Sequence, residues 1–396
     1  MHVARQDGTG QRNLLDQLTL DQLRERRSVK WRAYPPDVLP LWVAEMDTSL
    51  APPIREALIA AIERGDTGYA HPGRAVEAFA AFAESRFGWR VDPAAGAVMP
   101  DVLRGIVAGL EQVTAVGDGV IINPPVYYPF SSFIRFAGRR VVSSPLVERP
   151  DGRWVLDLDR LGDDLARSDV TAYLLCNPHN PTGTVFSENE LLAIAELSAR
   201  HGVRVIVDEI HAPMVFPETR FTPFLSLAER ASAASSAFVL TAATKAWNLA
   251  GLVTGLLIAG PGATADLERV SKAARHGTGL LGVIATQAAF ESGGPWLDTV
   301  MRDLDANRKL LGDLLARSLP EIRYVWPEAT YLAWLDCRGL DLGEEPAEVF
   351  LRRGKVALNA GLMFGRQGKG HVRLNFATSP GILAEAVSRM AEARHA

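Results

Sequence analysis

The chain has 396 residues and a net charge of −4, and 47% of its residues are apolar while 22% are charged. These values exclude a mainly disordered, collagen-like or coiled-coil architecture and predict a globular protein of two or three domains. The acidic balance gives no electrostatic basis for binding nucleic acid or anionic lipid, so neither is expected as a partner.

The N-terminal segment is polar and lacks the apolar core of a secretion signal. The longest uncharged stretch, 246–265, is broken by glycines and a proline, so no membrane span is predicted. Two cysteines, Cys176 and Cys337, are too few for a disulfide framework or a zinc site. We therefore expect a cytoplasmic protein.

Residues 1–50 show no regular apolar period and are predicted to form an arm that packs on a second domain. From about 51 to 290, short β-branched runs alternate with alanine-rich helical stretches. This pattern indicates an α/β domain with a mostly parallel sheet covered on both faces. The predicted strands are 119–123, 141–142, 172–176, 203–207, 238–240 and 252–259, and a helix is predicted at 187–201.

The pattern changes after about residue 291, where a smaller α+β domain is predicted to extend to 396. An amphipathic helix is expected at 296–318, and another at 347–353. Short strands are expected at 322–326, 331–336 and 371–376, with a last helix from Pro380. The expected fold class is thus a large α/β domain with a second, α+β domain.

Chemically active residues follow the predicted strands of the large domain. Tyr127 follows the first strand through a Pro-Pro turn, and Asn180 follows the strand at 172–176. Asp208 and Lys245 follow the strands at 203–207 and 238–240. Ligands of open α/β sheets bind outside the carboxyl ends of the strands, so these side chains are expected at one edge. Taken one at a time, each of these residues is common in proteins as a turn former, a helix cap or a packing residue.

Together, these residue types suit pyridoxal phosphate. Its aldehyde needs an amine for a Schiff base, and the same amine serves as a base at the substrate Cα. A carboxylate keeps the ring nitrogen protonated, an aromatic face stacks on the ring, and an amide orients the ring oxygen. A helix N-terminus holds the phosphate. The sequence therefore predicts a pyridoxal-phosphate site.

The amine is assigned to Lys245 because only six of the 42 basic residues are lysines. The other lysines are poorer candidates, since Lys30 precedes a tryptophan in the arm, Lys272 and Lys309 lie in helical patterns with charged neighbours, and Lys355 follows Arg-Arg-Gly. Lys369 lies in a glycine-rich stretch and is the rival candidate, since such a loop can approach a phosphate.

Motifs along nearly the whole chain resemble those of fold-type I pyridoxal-phosphate enzymes of the aminotransferase class I/II superfamily. Within it, the chain is most similar to the cystathionine β-lyase (MalY/PatB-type) C–S lyases. The matching stretches are SVKW (28–31), LPLWVAEMD (39–47), GYAHP (68–72), PPVYYPF (124–130), NPHNPTG (177–183), VDEIHAP (207–213), ATKAWNLAGL (243–252) and VRLNFATS (372–379).

The resemblance implies a role for each residue around the cofactor ring. Lys245 would form the internal Schiff base and Asp208 would pair with the pyridinium nitrogen. Asn180 would donate to the ring oxygen, and Tyr127 would stack on the ring. His211 takes a place near the cofactor where many relatives have tyrosine.

The resemblance also implies contacts for the phosphate and the substrate. Thr244 and the backbone of Val102 and Leu103 would hold the phosphate. Tyr69 would reach the phosphate or substrate of a neighbouring subunit, which implies a homodimer with shared active sites. Arg373 would bind the amino-acid α-carboxylate, for which guanidinium offers a bidentate fit.

Four positions depart from the family pattern. Ala242 replaces a common serine before the lysine, and MPDVLRG (99–105) replaces a glycine-containing phosphate loop. Glu45 stands where aspartate is usual and Thr48 where an aromatic residue is common. These changes affect the phosphate contacts and the pocket for the substrate side chain, in which Glu45 is expected.

The subtype motifs favour a lyase that splits a cysteine thioether, such as cystathionine or another cysteine S-conjugate, into a thiol, pyruvate and ammonia. An aminotransferase is the alternative, and a decarboxylating or oxidative variant is a third. A fourth alternative is a protein that binds the cofactor without catalysing a reaction. The presence of Lys245, Asp208, Asn180, Tyr127 and Arg373 together disfavours it.

Overall fold

The structure is a computed structural model and describes residues 13–394. The strands are, in chain order, Leu39–Pro40 (β1), Gly96–Met99 (β2), Gly119–Ile122 (β3), Arg140–Ser143 (β4), Val147–Glu148 (β5), Trp154–Val155 (β6), Val170–Cys176 (β7), Arg204–Asp208 (β8), Phe238–Thr241 (β9), Gly255–Ala259 (β10), Arg323–Tyr324 (β11), Leu332–Asp336 (β12), Val356–Ala357 (β13), Asn359–Ala360 (β14) and His371–Asn375 (β15).

The helices surround these strands. They are Leu20–Arg24 (α1), Val29–Arg32 (α2), Pro52–Glu63 (α3), Ala75–Phe87 (α4), Val102–Val113 (α5), Pro129–Phe136 (α6), Leu158–Leu165 (α7), Glu188–His201 (α8), Ser232–Ser235 (α9), Thr264–Arg269 (α10), Lys272–Arg275 (α11), Leu280–Ser292 (α12), Gly294–Ser318 (α13), Pro346–Arg352 (α14) and Pro380–Ala393 (α15). Within the described residues, no helix is both long and apolar enough to cross a bilayer.

The large sheet has the strand order β2-β10-β9-β8-β7-β3-β4 in the described part of the chain. The neighbours from β9 to β4 pair in parallel, and β10 runs antiparallel to both β2 and β9. The central strands are buried on both faces, which explains their continuous apolar sequence. Apolar side chains pack on either side of this sheet in two clusters. The predicted mostly parallel sheet is confirmed.

Helix α5 lies close against this sheet and directs its N-terminus to the strand ends. Gly105 permits the approach, because a Cβ there would lie 2.5 Å from Leu240 Cδ1. The Asp101 carboxylate caps the helix by accepting from the Arg104 N–H at 2.7 Å. Sequence and packing therefore fix where the helix begins.

A second, antiparallel sheet has the order β11-β12-β15-β14 and follows the long helix α13. The N-terminal segment joins this part of the molecule, since β1 pairs in parallel with β13. Leu14 also donates its N–H to Asp303 Oδ2 of α13 at 2.7 Å. The domain limits near residues 50 and 290 stay a prediction, and residues 1–12 of the arm lie outside the described part.

Most predicted strands lie within a few residues of the observed ones, but two differences have clear causes. The prediction of a strand from 252 is wrong at its start, because residues 250–252 form a 3₁₀ turn and Val253 has a φ of 32°. The short strand β2 was not predicted, since its four residues, GAVM, carry too little pattern to distinguish strand from loop.

Candidate active site

The carboxyl ends of β7, β8 and β9 open onto a cavity of about 280 Å³. Arg373 enters this cavity from β15 of the second sheet, so both sheets contribute to it. The residues that line the cavity include nine that were predicted to bind the cofactor or the substrate: Val102, Leu103, Tyr127, Asn180, Asp208, His211, Thr244, Lys245 and Arg373. Nine of the predicted site residues therefore meet in one place.

Lys245 reaches the cavity from the turn after β9, and its Nζ lies 3.2 Å from the Ala44 carbonyl oxygen. Burial lowers the pKa of Lys245 to about 8, the charge of Arg373 acts in the same direction, and Asp208 and Glu45 oppose the shift. A substantial fraction of neutral amine is therefore present near neutral pH, as a nucleophile or base requires.

Asp208 is the last residue of β8 and is only 4% exposed. Its Oδ1 accepts from the Ile210 N–H at 3.0 Å. Burial raises the pKa of Asp208 to about 6, against the opposing effects of this hydrogen bond and of Lys245. A cationic ring nitrogen at this carboxylate would favour its charged form and so offset the effect of burial on the pKa.

Arg373 is held by acceptors from three separate segments. Its Nη1 donates to Asn180 Oδ1 at 3.0 Å, and its Nη2 donates to Asn359 Oδ1 at 2.6 Å and to the Trp42 carbonyl at 3.0 Å. The guanidinium also lies 4.9 Å from the Phe364 ring centroid. Its Nε is buried and has no hydrogen-bond partner among the described residues. The guanidinium is thus fixed in place by three of its five N–H donors, and the buried Nε is one of those left for a ligand.

The residues predicted to contact the cofactor ring and its phosphate lie around these charged groups. Tyr127 packs edge-on against Phe130, and burial raises the pKa of Tyr127 to about 12, so its hydroxyl stays protonated. Val102 and Leu103 are the first residues of α5, where backbone N–H groups have no intrahelical acceptor. With the Thr244 side chain they form a place for an anion.

His211 lies at the cavity with a buried Nδ1 that has no partner in the described structure. Burial, together with the charges of Lys245 and Arg373, lowers the pKa of His211 to about 3. The imidazole is therefore neutral and offers one donor and one acceptor to a bound molecule.

Two predicted residues do not line this cavity. Tyr69 is 95% exposed, so within a single chain it touches neither phosphate nor substrate. The Glu45 carboxylate accepts from Ser28 Oγ at 2.6 Å, although its charge still acts on Lys245. Thr48, which departs from the family pattern, is buried and donates to the Leu14 carbonyl at 3.1 Å.

Sequence inspection missed several residues that hold the site together. Asn359 and Phe364 fix Arg373, and Tyr128 lines the cavity beside Tyr127. His179 is fully buried, with its Nε2 2.8 Å from the Pro125 carbonyl, which ties the Asn180 loop to the turn before Tyr127. Asn359 and Phe364 gave no signal, because along the sequence they lie far from every strand end of the large sheet.

The residues present fit pyridoxal phosphate. An amine with a lowered pKa and a buried carboxylate face one cavity, as the aldehyde and the ring nitrogen require. The unpartnered His211 Nδ1 and Arg373 Nε are buried polar atoms that a ligand can satisfy. Asp101 also lines the cavity and places a negative charge at the start of α5. The hydrogen-bond donors for a phosphate there would be the backbone N–H groups of Val102 and Leu103 and the Thr244 hydroxyl.

Comparison with known proteins agrees with this site. The aminotransferase class I and II family model matches residues 36–390, which is most of the chain. The chain belongs to the aminotransferase class I and II family. Two solved structures, one of a PLP-bound and one of a PLP-dependent protein, each match 96% of this chain with TM-scores of 0.90 and 0.89 at 28% and 34% identity, which confirms the predicted fold class.

Three relatives illustrate the similarity. A Mycobacterium leprae protein provisionally named a cystathionine beta-lyase is 50% identical over 402 residues, covering 96% of this chain and 98% of its own. The cystathionine beta-lyase PatB of Bacillus subtilis is 34% identical, covering 94% of this chain and 99% of its own. The structure of a PLP-bound C–S lyase from Staphylococcus hominis has a TM-score of 0.86 at 25% identity, covering 95% of this chain and 99% of its own.

Proposed function

We propose that this protein is a pyridoxal-phosphate-dependent C–S lyase that cleaves a cysteine thioether by α,β-elimination. The products would be a thiol, pyruvate and ammonia, with one water consumed for each thioether. The names of the relatives, cystathionine beta-lyase and C–S lyase, support this class of reaction. The observation that carries the proposal is the meeting of Lys245, Asp208 and Arg373 at one cavity.

Pyridoxal phosphate supplies, when bound, an aldehyde for the amino group and a ring that accepts electron density from the substrate Cα. Asp208 would hold the proton at the ring nitrogen, and Asn180 would donate to the ring oxygen. Arg373 would bind the α-carboxylate and so present the Cα proton to Lys245. Lys245 would remove that proton, and the sulfur would then leave from Cβ as a thiolate.

The charges of the cavity favour the lyase over an aminotransferase for dicarboxylates. Among the described residues that line the cavity, the basic side chains are Lys245 and Arg373, and the neutral His211 adds no positive charge. A dicarboxylate substrate needs a second cation for its distal carboxylate. A thioether whose sulfur substituent carries no net charge, as in cystathionine or an S-alkyl cysteine, needs none.

The protein is also proposed to act as a homodimer with shared active sites. Tyr69 is almost fully exposed, and Ile59 and Ile62 of the preceding helix α3 expose 47% and 58% of their surface. Exposed apolar and aromatic side chains of this kind suit a protein interface. A cytoplasmic location is proposed as well, since Cys176 and Cys337 are both unpaired thiols.

Release of pyruvate without an added amino acceptor tests the function. The holoenzyme would be incubated with L-cystathionine or an S-alkyl-L-cysteine, and pyruvate and free thiol would be followed, with Lys245→Ala as the inactive control. Equal amounts of thiol and pyruvate support the lyase. A keto acid formed only when an acceptor is present would replace this proposal with an aminotransferase. Carbon dioxide or peroxide as a product would indicate the decarboxylating or oxidative variant.

A further inference from the structure

Segment 42–47 passes beside the cavity without regular secondary structure, and Val43 and Ala44 line the cavity. Backbone groups without a helix or sheet partner need other hydrogen bonds when they are buried. In this segment the partners are side chains. Each of the five consecutive backbone carbonyls from 42 to 46 accepts a hydrogen bond from a side-chain amide, amine or guanidinium.

Two of these carbonyls contact the proposed reactive groups directly. The Trp42 carbonyl accepts from Arg373 Nη2 at 3.0 Å, and the Ala44 carbonyl accepts from Lys245 Nζ at 3.2 Å. The position of segment 42–47 therefore helps to fix both the guanidinium and the amine.

Two asparagines bind the carbonyls of Val43, Glu45 and Met46, of which the last two also accept from Lys30 and Arg26. Asn375 Nδ2 donates to the carbonyls of Val43 at 2.8 Å and of Glu45 at 2.7 Å. Asn248 binds the Met46 backbone twice, since its Nδ2 donates to the carbonyl at 2.9 Å and its Oδ1 accepts from the N–H at 2.8 Å. An amide is suited to this position because it offers a donor and an acceptor.

The chain positions of these asparagines connect the segment to the chemistry. Asn375 lies two residues after Arg373 on β15, and Asn248 lies three residues after Lys245. The backbone of Asn248 has a φ of 58°, a conformation that asparagine adopts more readily than most residues. Each amide thus ties segment 42–47 to the stretch of backbone that carries a reactive side chain.

We propose that Asn248 and Asn375 are positioning residues, which hold segment 42–47 so that its carbonyls orient Lys245 and Arg373. This inference rests on the proposed function, in which Lys245 is the base and Arg373 binds the substrate carboxylate. Misplacement of reacting groups by about 1 Å can cost roughly 100-fold in rate, so loosening the segment has a measurable effect.

The test uses Asn248→Asp and Asn375→Asp, which keep the side-chain shape and the acceptor but replace the donor with a carboxylate oxygen. Asn307→Asp is the matched control. Asn307 is 1% exposed, and its Nδ2 likewise donates to two backbone carbonyls, those of Phe376 and Thr378. It makes no hydrogen bond to segment 42–47 in the described structure. Its two acceptors flank Ala377, whose carbonyl accepts from the Asp47 N–H, so it reports the cost of this substitution next to the segment.

Two measurements are made on each holoenzyme. Hydrogen exchange at the Glu45 amide, which donates to the Val43 carbonyl within the segment, should become at least tenfold faster in Asn248→Asp and Asn375→Asp and stay unchanged in Asn307→Asp. Asn375→Asp should raise KM for the thioether at least tenfold through Arg373, whereas Asn248→Asp should mainly lower kcat through Lys245. The control should keep both constants within about twofold. If Asn375→Asp does not fold, Asn248→Asp decides the outcome.

The results separate this inference from the proposed function. Exchange and kinetics that match the control in both variants overturn the positioning role. If the wild type turns over no thioether while exchange still increases in both variants, the proposed function fails and the role of the asparagines in holding the segment stands.

Discussion

Arg373→Lys tests how much of substrate binding depends on the guanidinium rather than on its charge. The structure holds the Arg373 side chain with three hydrogen bonds, to Asn180, Asn359 and the Trp42 carbonyl, and leaves the buried Nε without a partner. Lysine keeps the positive charge but lacks the planar set of donors. The α-carboxylate would therefore lose one of two parallel hydrogen bonds.

The expected size of the effect follows from the energy of one such bond. A hydrogen bond to a charged group contributes about 1.5–3 kcal/mol, and each 1.4 kcal/mol corresponds to about tenfold in affinity. KM for the amino acid should therefore rise roughly 10- to 100-fold. Cofactor binding should be unchanged, because Arg373 is proposed to contact the substrate.

The assay measures KM for a cysteine thioether together with the visible absorbance of the bound cofactor. Arg139→Lys is the matched control, since Arg139 is 8% exposed and donates to the backbone carbonyls of Ala137 and Thr114, away from the cavity. It should lower stability and leave KM unchanged. A KM for Arg373→Lys within twofold of wild type, in a folded and cofactor-loaded protein, would refute the proposed carboxylate contact.

Four further predictions concern other parts of the site and of the arm. Lys245→Ala should abolish the visible absorbance of the bound cofactor, and a remaining band that borohydride reduces would contradict the assignment. Because the pKa of Lys245 is about 8, the reaction of the apoprotein with an aldehyde should accelerate as pH rises through that value and then level off, and a rate independent of pH would contradict this. Lys30 is fully buried, with its Nζ 2.8 Å from Asp47 Oδ2. Lys30→Met should therefore lower the free energy of urea unfolding by about 3–5 kcal/mol, and the double variant with Asp47→Leu should recover most of this loss. Equal stability of the wild type and both variants would show that the pair is unimportant. Sedimentation should give twice the 42.9 kDa mass of one chain. Tyr69→Ala should lower activity without changing the midpoint of urea unfolding. A fully active monomer would exclude active sites shared between subunits.

The residues at the strand ends could be placed from sequence because a simple rule governs them. In a parallel sheet the carboxyl ends of the strands lie at one edge, so Tyr127, Asn180, Asp208 and Lys245 had to converge once β3, β7, β8 and β9 were recognised. The continuous apolar runs identified those strands, since strands buried on both faces need no polar alternation. The resemblance to a family added Arg373, which no local pattern around it predicts.

Tertiary structure alone decided the surroundings of these residues. Lys30 is fully buried and bonded to Asp47, although its sequence neighbours suggested an ordinary arm residue. Each carbonyl from Trp42 to Met46 binds at least one side chain that lies 200 or more positions away, such as Asn248. Such contacts depend on the docking of irregular backbone, whose orphan hydrogen-bonding groups take whichever partners the fold supplies. Periodicity records only which face of a helix or strand is buried, so it determined the sheet and its edge, while the packing of the two sheets decided what holds Lys245 and Arg373 in place.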